Sequence, residues 1–255
     1  VNGFSAFVRK EAVEILRTWR IWVLPGILLF FALTGPATAK YTPEILKSVG
    51  GLPAAALEKL IPTPTYLDAY AQWAKNLSQI GLFALIIIYG GLVSSERKSG
   101  TAILVLTKPV SRSAFVWAKA LVHGAFVVLT VVAGTALTWG LTLLVFGTAP
   151  PGPLVTSAFS WMAFGLLFLA LATLLSVLLP SQAGAAGVGI GVYALLAIAG
   201  LSKTLVLYTP VGLASAPAVL AAGQPFPLMW PLVSSLALSV ALVAAAAWAF
   251  RRQEL

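Results

Sequence analysis

Apolar residues in this chain gather into runs long enough to cross the roughly 30 Å hydrocarbon core of a bilayer, a distance that takes about 20 residues of helix. Six such runs lie at about 20–38, 77–95, 114–146, 156–179, 184–207 and 228–250. They predict an all-α, polytopic membrane protein: six transmembrane helices in a single domain over residues 1–255. The third run is too long for the bilayer alone, because its 33 residues would reach about 50 Å as a helix. Its first turns, which carry Arg112 and Lys119, are expected to stand in the cytoplasm, with the Lys119 ammonium extended to the interface.

A different period governs residues 4–19. Phe4, Phe7, Val8, Ala12, Ile15, Leu16 and Trp19 repeat at three- and four-residue spacing, while Arg9, Lys10, Glu14 and Arg17 lie away from that face. This pattern predicts an amphipathic helix lying in the membrane interface as an elbow before the first span. Glu11 falls on the apolar side, where an unpaired carboxylate is costly. It needs a basic partner or an exit to water. Pro25 and Gly26 mark the turn or kink that follows.

Between the spans the pattern changes again. Residues 39–76 form the longest outer loop, divided by Pro43, Pro53, Pro62 and Pro64 into segments that open with helix-start signals; short helices capping the outer surface are expected there. Residues 202–226 are apolar yet broken by Pro210, Pro217 and Pro225. A re-entrant or surface-lying hairpin over 208–226, buried against protein, fits that combination. The stretches FGTAPPGP and LPSQAG read as tight turns.

Composition agrees with the pattern. Hydrophobic residues make up 60% of the chain and charged residues 9%, where a soluble domain carries about 25%; the mean hydropathy is +0.97. Cysteine is absent, which removes disulfides and Cys-based metal or redox sites. The net charge of +9 does not point to nucleic acid, because the basic residues flank apolar runs and form no stripe with interleaved aromatics. Membrane lipid is the expected contact.

Their distribution also orients the chain. With the N-terminus inside, the inner side holds eleven basic residues (Arg9, Lys10, Arg17, Arg20, Arg97, Lys98, Lys108, Arg112, Lys119, Arg251 and Arg252). The outer side holds five (Lys40, Lys47, Lys59, Lys75 and Lys203). Both termini are therefore expected in the cytoplasm of a cell-membrane protein. RIWVLPGILLFFAL followed by Ala37-Thr38-Ala39 has the outline of a signal peptide. The twenty preceding residues, amphipathic and Glu-containing, favour a retained first span.

Candidate chemistry is sparse. His123 is the one clearly ionisable side chain inside the runs, expected in a hydrogen-bonded structural role, with substrate or lipid contact as the alternative. No midplane carboxylate is available to a proton- or sodium-driven carrier. HExxH, GxSxG and GxxxxGK[ST] are absent; GLSKT at 200–204 places Ser202 where a phosphate loop requires glycine. The chain is therefore read as having no catalytic residue, no metal site and no cofactor of its own. Energy for uphill movement must come from another polypeptide.

Residues 95–112, SERKSGTAILVLTKPVSR, gather charge between two spans. Gly100 can end the second span in a left-handed turn, Thr101 can cap a short helix, Pro109 stops it, and Ser111 or Ser113 caps the third span. That helix exposes Ile103, Leu104 and Leu106 between Arg97, Lys98, Lys108 and Arg112. Apolar side chains in water cost about 1.5–3 kcal/mol each, so a groove on a partner, or lipid headgroups, should receive them.

The same residues resemble a family. Glu96, Gly100-Thr101, Leu104, Pro109-Val110-Ser111-Arg112 and Lys119 match the signature of permease subunits of type-2 ATP-binding cassette exporters, and Lys10-Glu11 matches the Lys-Glu of their elbow helix. The resemblance covers the whole layout. It implies a homodimer or pseudo-dimer that carries two separate ATPase subunits, with ATP and Mg bound by those partners. It further implies that residues 100–109 form the coupling helix seated in the ATPase, with Glu96 and Arg112 bracing it through charge pairing. Outward direction of transport is inherited from the same resemblance, and the long outer loop departs from the plainest members.

Two further sets complete the reading. Gly184, Gly187, Gly189 and Gly191 in the fifth span allow close helix approach, to the partner protomer or to the second span, or else loosen the helix. Gln79, Phe83 and Tyr89 are candidate path residues, and an apolar lining suits drugs, peptides or lipids as cargo. A self-sufficient channel or carrier, and a membrane scaffold, remain as alternative functions.

Overall fold

The computed structural model describes residues 3–49, 63–100 and 111–253. Among the described residues the chain is helical and contains no strand. The amphipathic α1 (Gly3–Arg17) precedes six helices long and apolar enough to cross a membrane. These are α2 (Arg20–Val49), α3 (Tyr66–Lys98), α4 (Arg112–Phe146), α5 (Pro151–Leu178), α6 (Gln182–Ala199) and α9 (Met229–Arg251). Between α6 and α9 lie α7 (Lys203–Tyr208), a 3₁₀ turn (Pro210–Ala214) and α8 (Ala216–Ala221). The class is the all-α, six-span one that the hydrophobic pattern predicts.

The bundle is organised around α5. Its most apolar stretch is 72% buried inside the protein, against 17% for α6, so α5 is the axis and α6 an edge. Around α5 pack α9, α8, α4, α3 and α6. Trp161, Phe164 and Phe168 of α5 meet Leu85 and Tyr89 of α3 in one apolar core. Helix α4 offers the core a stripe at three- and four-residue spacing: Val116, Lys119, His123, Val127, Thr130, Gly134 and Thr138 are all buried. Two members of that stripe are ionisable.

Close approach fixes the crossings. The Trp73 indole of α3 donates to Thr135 Oγ1 at 3.2 Å. A Cβ on Gly134 would come within 2.6 Å of that indole, which is why α4 carries no side chain there. Helix α3 itself is interrupted twice, by a π turn at Leu77–Gly81 and by turns at 90–93. At the second break, the backbone N–H groups of Val93 and Ser94 donate to Ser176 Oγ of α5 at 2.8 and 3.0 Å. A serine in the central helix thus supplies an acceptor at the break.

Three boundaries differ from those the sequence predicts. The first span does not stop near 38, and no new helix opens at Pro43: α2 runs to Val49 with Pro25, Pro36 and Pro43 inside it. Without water to accept freed backbone groups, continuous helical bonding outweighs local proline signals. Thr34, Thr38 and Thr42 satisfy their hydroxyls within the helix, donating to the carbonyls of Phe30, Thr34 and Thr38 at 2.9, 2.8 and 2.6 Å. The outer loop is shortened from its other side too, because α3 begins at Tyr66, capped by Thr65 with Asp68 in a capping box. Its middle, with Pro53 and Pro62, lies outside the described residues. Finally, the fifth span ends at Ala199, not 207, where residues 200–202 interrupt it before α7.

Residues 210–221 pack back onto the protein. Val211, Gly212, Leu213, Ala216, Pro217, Leu220 and Ala221 are buried, and Ser157 Oγ of α5 donates to the Pro217 carbonyl at 2.7 Å. The prolines break the helix, and the apolar side chains cover the N-terminal parts of α3 and α5.

Candidate functional site

One end of the bundle, here called the proximal end, brings together α1, the C-terminal ends of α3, α5 and α9, and the start of α4. Two polar networks lie there. The first is a buried charge cluster. Glu11 and Lys119 have no exposed surface, and the Lys119 ammonium donates to Glu11 Oε2 at 2.9 Å and to Glu96. Lys10 Nζ reaches Glu11 at 2.9 Å, Glu14 at 2.5 Å and Glu96 at 3.3 Å. His123 Nε2 lies 3.6 Å from Glu11 Oε2, and its ring meets Tyr89 edge-on with centroids 5.2 Å apart.

The geometry follows from helix periodicity. Lys119 and His123 are four residues apart on the buried stripe of α4, and Phe7, Glu11 and Ile15, also at four-residue spacing, are the buried residues of α1. Docking α1 across α4 therefore places its carboxylate against the ammonium and the imidazole. The stem of Lys119 lies against Phe115, its Nζ 4.9 Å from the ring centroid. Burial alone would raise the Glu11 carboxyl; the nearby His123 imidazole and the charges of Lys119 and Lys10 override it and hold the group well below the usual carboxylate range. Burial likewise opposes the Lys10 charge, but Glu11, Glu14 and Glu96 raise that ammonium above its ordinary value. The Glu11, Glu14 and Glu96 carboxylates approach within 4.8 Å of one another, a spacing that could hold a metal ion. Lys10 bonds all three, so its ammonium serves as their shared cation.

The second network is a clamp centred on Gln253, just past α9. Gln253 Oε1 accepts from Arg97 at 2.7 Å, and Gln253 Nε2 donates to the Val177 carbonyl at 2.9 Å. Arg97 also donates to the carbonyls of Val177 and Leu179 at 3.2 and 3.5 Å. Arg112 donates to the carbonyls of Gln253 and Arg251 at 2.5 and 3.5 Å. Cationic side chains thus cover carbonyls at the C-terminal ends of α5 and α9, where both hydrogen-bond need and helix dipole favour them.

The residues singled out from the sequence fall in different places. Gly100 has φ 73°, the left-handed turn expected of it, and Ser111 caps α4 by accepting from the Ala114 N–H at 3.2 Å. Thr101, Ile103, Leu104, Leu106, Lys108 and Pro109 lie outside the described residues. Lys119 is corrected: its ammonium turns into the protein, not out to the interface, because Glu11 and Glu96 offer it charge that lipid would not. Among the described residues, Arg112 meets main-chain carbonyls, those of Arg251 and Gln253. Of the two outcomes open to Glu11, basic partners are the one realised.

Gln79 and Phe83 border an apolar groove of about 510 Å³ between α2 and α3, with Trp19, Val23, Ile27 and Ile87. Tyr89 does not join them. Six residues beyond Phe83 it is turned about 120° around the helix and is wholly buried. In α6 the glycines also divide: a Cβ on Gly189 would lie 2.8 Å from Ile86 of α3, whereas Gly187 and Gly191 face open space.

A family model described as ABC-2 family transporter protein matches residues 5–220, which include the charge cluster whole and the clamp without Arg251 and Gln253. The chain belongs to the ABC-2 transporter family. It is accordingly a multi-pass membrane protein and the permease component of an ABC transporter, and membership implies partnership with a separate ATP-binding subunit. An uncharacterized transmembrane protein of Bacillus subtilis, YxlG, is 25% identical over 98% of this permease and 97% of its own length. A probable ABC transporter permease protein of Pseudomonas aeruginosa, NosY, is 30% identical over 72% of this chain and 63% of its own length.

Sequence reading missed the clamp on Gln253 and the centrality of Lys119 in this permease. Lys119 could have been found: it shares the i, i+4 register of His123 in an otherwise uncharged stripe, and Glu11 sits on the apolar face of α1. The clamp left no such trace, because carbonyl acceptors and a glutamine beyond the last helix carry no periodicity.

Proposed function

We propose that this permease exports a hydrophobic or amphiphilic cargo (a drug, peptide or lipid) across the cell membrane, driven by ATP hydrolysis on a docked cytoplasmic ATPase. Two copies, as a homodimer or pseudo-dimer, enclose the path. Residues 100–109 form the coupling helix, with Ile103, Leu104 and Leu106 in the cleft of the ATPase. Both termini are cytoplasmic, and α1 lies in the inner interface as the elbow. Closure of the ATPases pushes on α3 and α4 and alternates access to the path.

The anchorage of the flanks of 101–110 carries this reading. Glu96 on one side is held by Lys119 and Lys10, and Arg97 and Arg112 on either side share Gln253. A lever arm requires such fixed ends, since a push on a loosely tethered loop would dissipate in the loop. Gln79 and Phe83, on the open apolar groove, are suited to cargo, and Gly187 and Gly191, with space around them, to a second protomer.

Co-purification tests the proposal. The wild-type permease should retain its ATPase subunit through detergent extraction, and Leu104→Asp or Leu106→Asp should release it while the permease remains folded. Flux from the purified permease in liposomes without the ATPase would instead indicate a channel or carrier. Absence of both flux and ATPase binding would indicate a scaffold.

A further inference from the structure

The clamp joins four spans through one residue, and it does so at both flanks of the segment on which the proposed ATPase docking rests. Arg97 lies at the base of α3, four residues before residue 101, and Arg112 opens α4, two residues after 110. Both end on Gln253, which follows α9, and Gln253 and Arg97 both bond the terminal carbonyls of α5. Side chain and main chain divide the work: Oε1 of Gln253 holds Arg97, whereas its main-chain carbonyl holds Arg112.

We infer that Gln253 is a positioning residue that yokes α3 to α5 and α9, so that a push delivered at 101–110 moves these helices as one block. The inference deepens the proposed ATPase coupling by naming how force reaches the two spans outside the α3–α4 hairpin. Without the yoke, among the described residues, α9 would have no polar tie to α3 and would keep, toward the moving segment, only the Arg112 bonds to its terminal carbonyls, and α5 would keep only its bonds with Arg97, Val93 and Ser94. Apolar packing is non-directional and tolerates sliding, whereas the bidirectional bonds of Gln253 fix both distance and angle.

The division of labour makes a selective test possible. Gln253→Ala removes Oε1 and Nε2 but keeps the carbonyl that receives Arg112, so the side-chain ties to Arg97 of α3 and to the Val177 carbonyl of α5 are cut while the tie to α4 remains. Gln253→Glu keeps an acceptor for Arg97 and so restores the α3 tie, without the donor to Val177. Because the chain has no cysteine, spin labels can be placed as pairs at Lys98→Cys with Arg251→Cys, and at Ser113→Cys with Arg251→Cys. Distances are then read by pulsed electron paramagnetic resonance, in the permease alone and in its ATPase complex with and without trapped ATP.

With Gln253 intact, the 98–251 distance should be single and narrow, and should stay so on trapping. In Gln253→Ala it should gain a longer component, most strongly on trapping, with the 113–251 pair unchanged and Gln253→Glu returned to the narrow form. The inference is overturned if Gln253→Ala leaves the 98–251 pair as narrow as before in both settings, or if both pairs broaden together, which marks general loosening. Loss of ATPase capture by the unsubstituted permease would sink the proposed function, and in that event the permease-alone distances still decide the yoke.

Discussion

Replacing Lys119 by methionine isolates the energetic role of the buried cluster. The substitution keeps most of the stem volume against Phe115 and removes only the ammonium, so little cavity cost is added. Glu11, with no exposed surface, would retain Lys10 at 2.9 Å and His123 at 3.6 Å but lose its most deeply buried partner. Removing one member of a buried ion pair costs about 3–5 kcal/mol, because the remaining charge has lost its compensation. For a chain of this size, each kcal/mol moves the midpoint by roughly 2–4 °C, giving a fall of roughly 6–20 °C.

The decisive comparison is the double variant Lys119→Met with Glu11→Gln. Removing one charge of each sign leaves Glu96 and Glu14 on Lys10, so the double variant should recover at least half of the loss. Thermal unfolding in lipid nanodiscs, followed by tryptophan fluorescence, reads both. A fall smaller than about 2 °C for Lys119→Met would mean that the ammonium does not compensate Glu11 in the folded protein. A double variant as unstable as the sum of the singles would show that the two groups act independently.

Other outcomes follow from the same geometry. The low Glu11 value makes its contribution complete above the ordinary carboxylate range, near pH 4.3, and progressively lost as pH falls toward the folded-state value. Stability should therefore drop on the acid side, and Glu11→Gln should flatten that limb in pH-dependent unfolding. Lys10, raised above its ordinary value of about 10.4, contributes fully below that pH and loses its share as pH rises through the folded-state value. Lys10→Met should flatten the alkaline limb. Gly134→Ala, which would set a methyl 2.6 Å from the Trp73 ring, should cost about 1–3 kcal/mol and reduce the folded yield on size-exclusion chromatography. Gly187→Ala, with nothing near its Cβ, should leave that yield unchanged in the single protomer.

The spans were legible because hydrocarbon imposes one requirement on every residue it touches, and six apolar runs meet it wherever their exact ends fall. Boundaries were less so. Pro43 carries a helix-start signal in water, yet α2 passes straight through it because the membrane-spanning helix is more costly to break. At the site, Lys10, Glu11 and Glu96 could be chosen from the family signature, but their grouping required knowing that α1 lies across α4. Tyr89 stands apart from Phe83 for a related reason: six residues of helical rotation separate them, and sequence order does not reveal which face the core takes. Arg97 and Gln253 are 156 positions apart, a separation that no local pattern spans.

Cross-linking from position 104 tests the central claim most directly. The chain contains no cysteine, so Leu104→Cys carries a single thiol-reactive photoprobe into the intact complex. Coupling through 100–109 predicts one dominant adduct with the ATP-binding subunit, diminished when Leu106→Asp is added. Labelling of lipid alone, in a complex that still contains the ATPase, would contradict it.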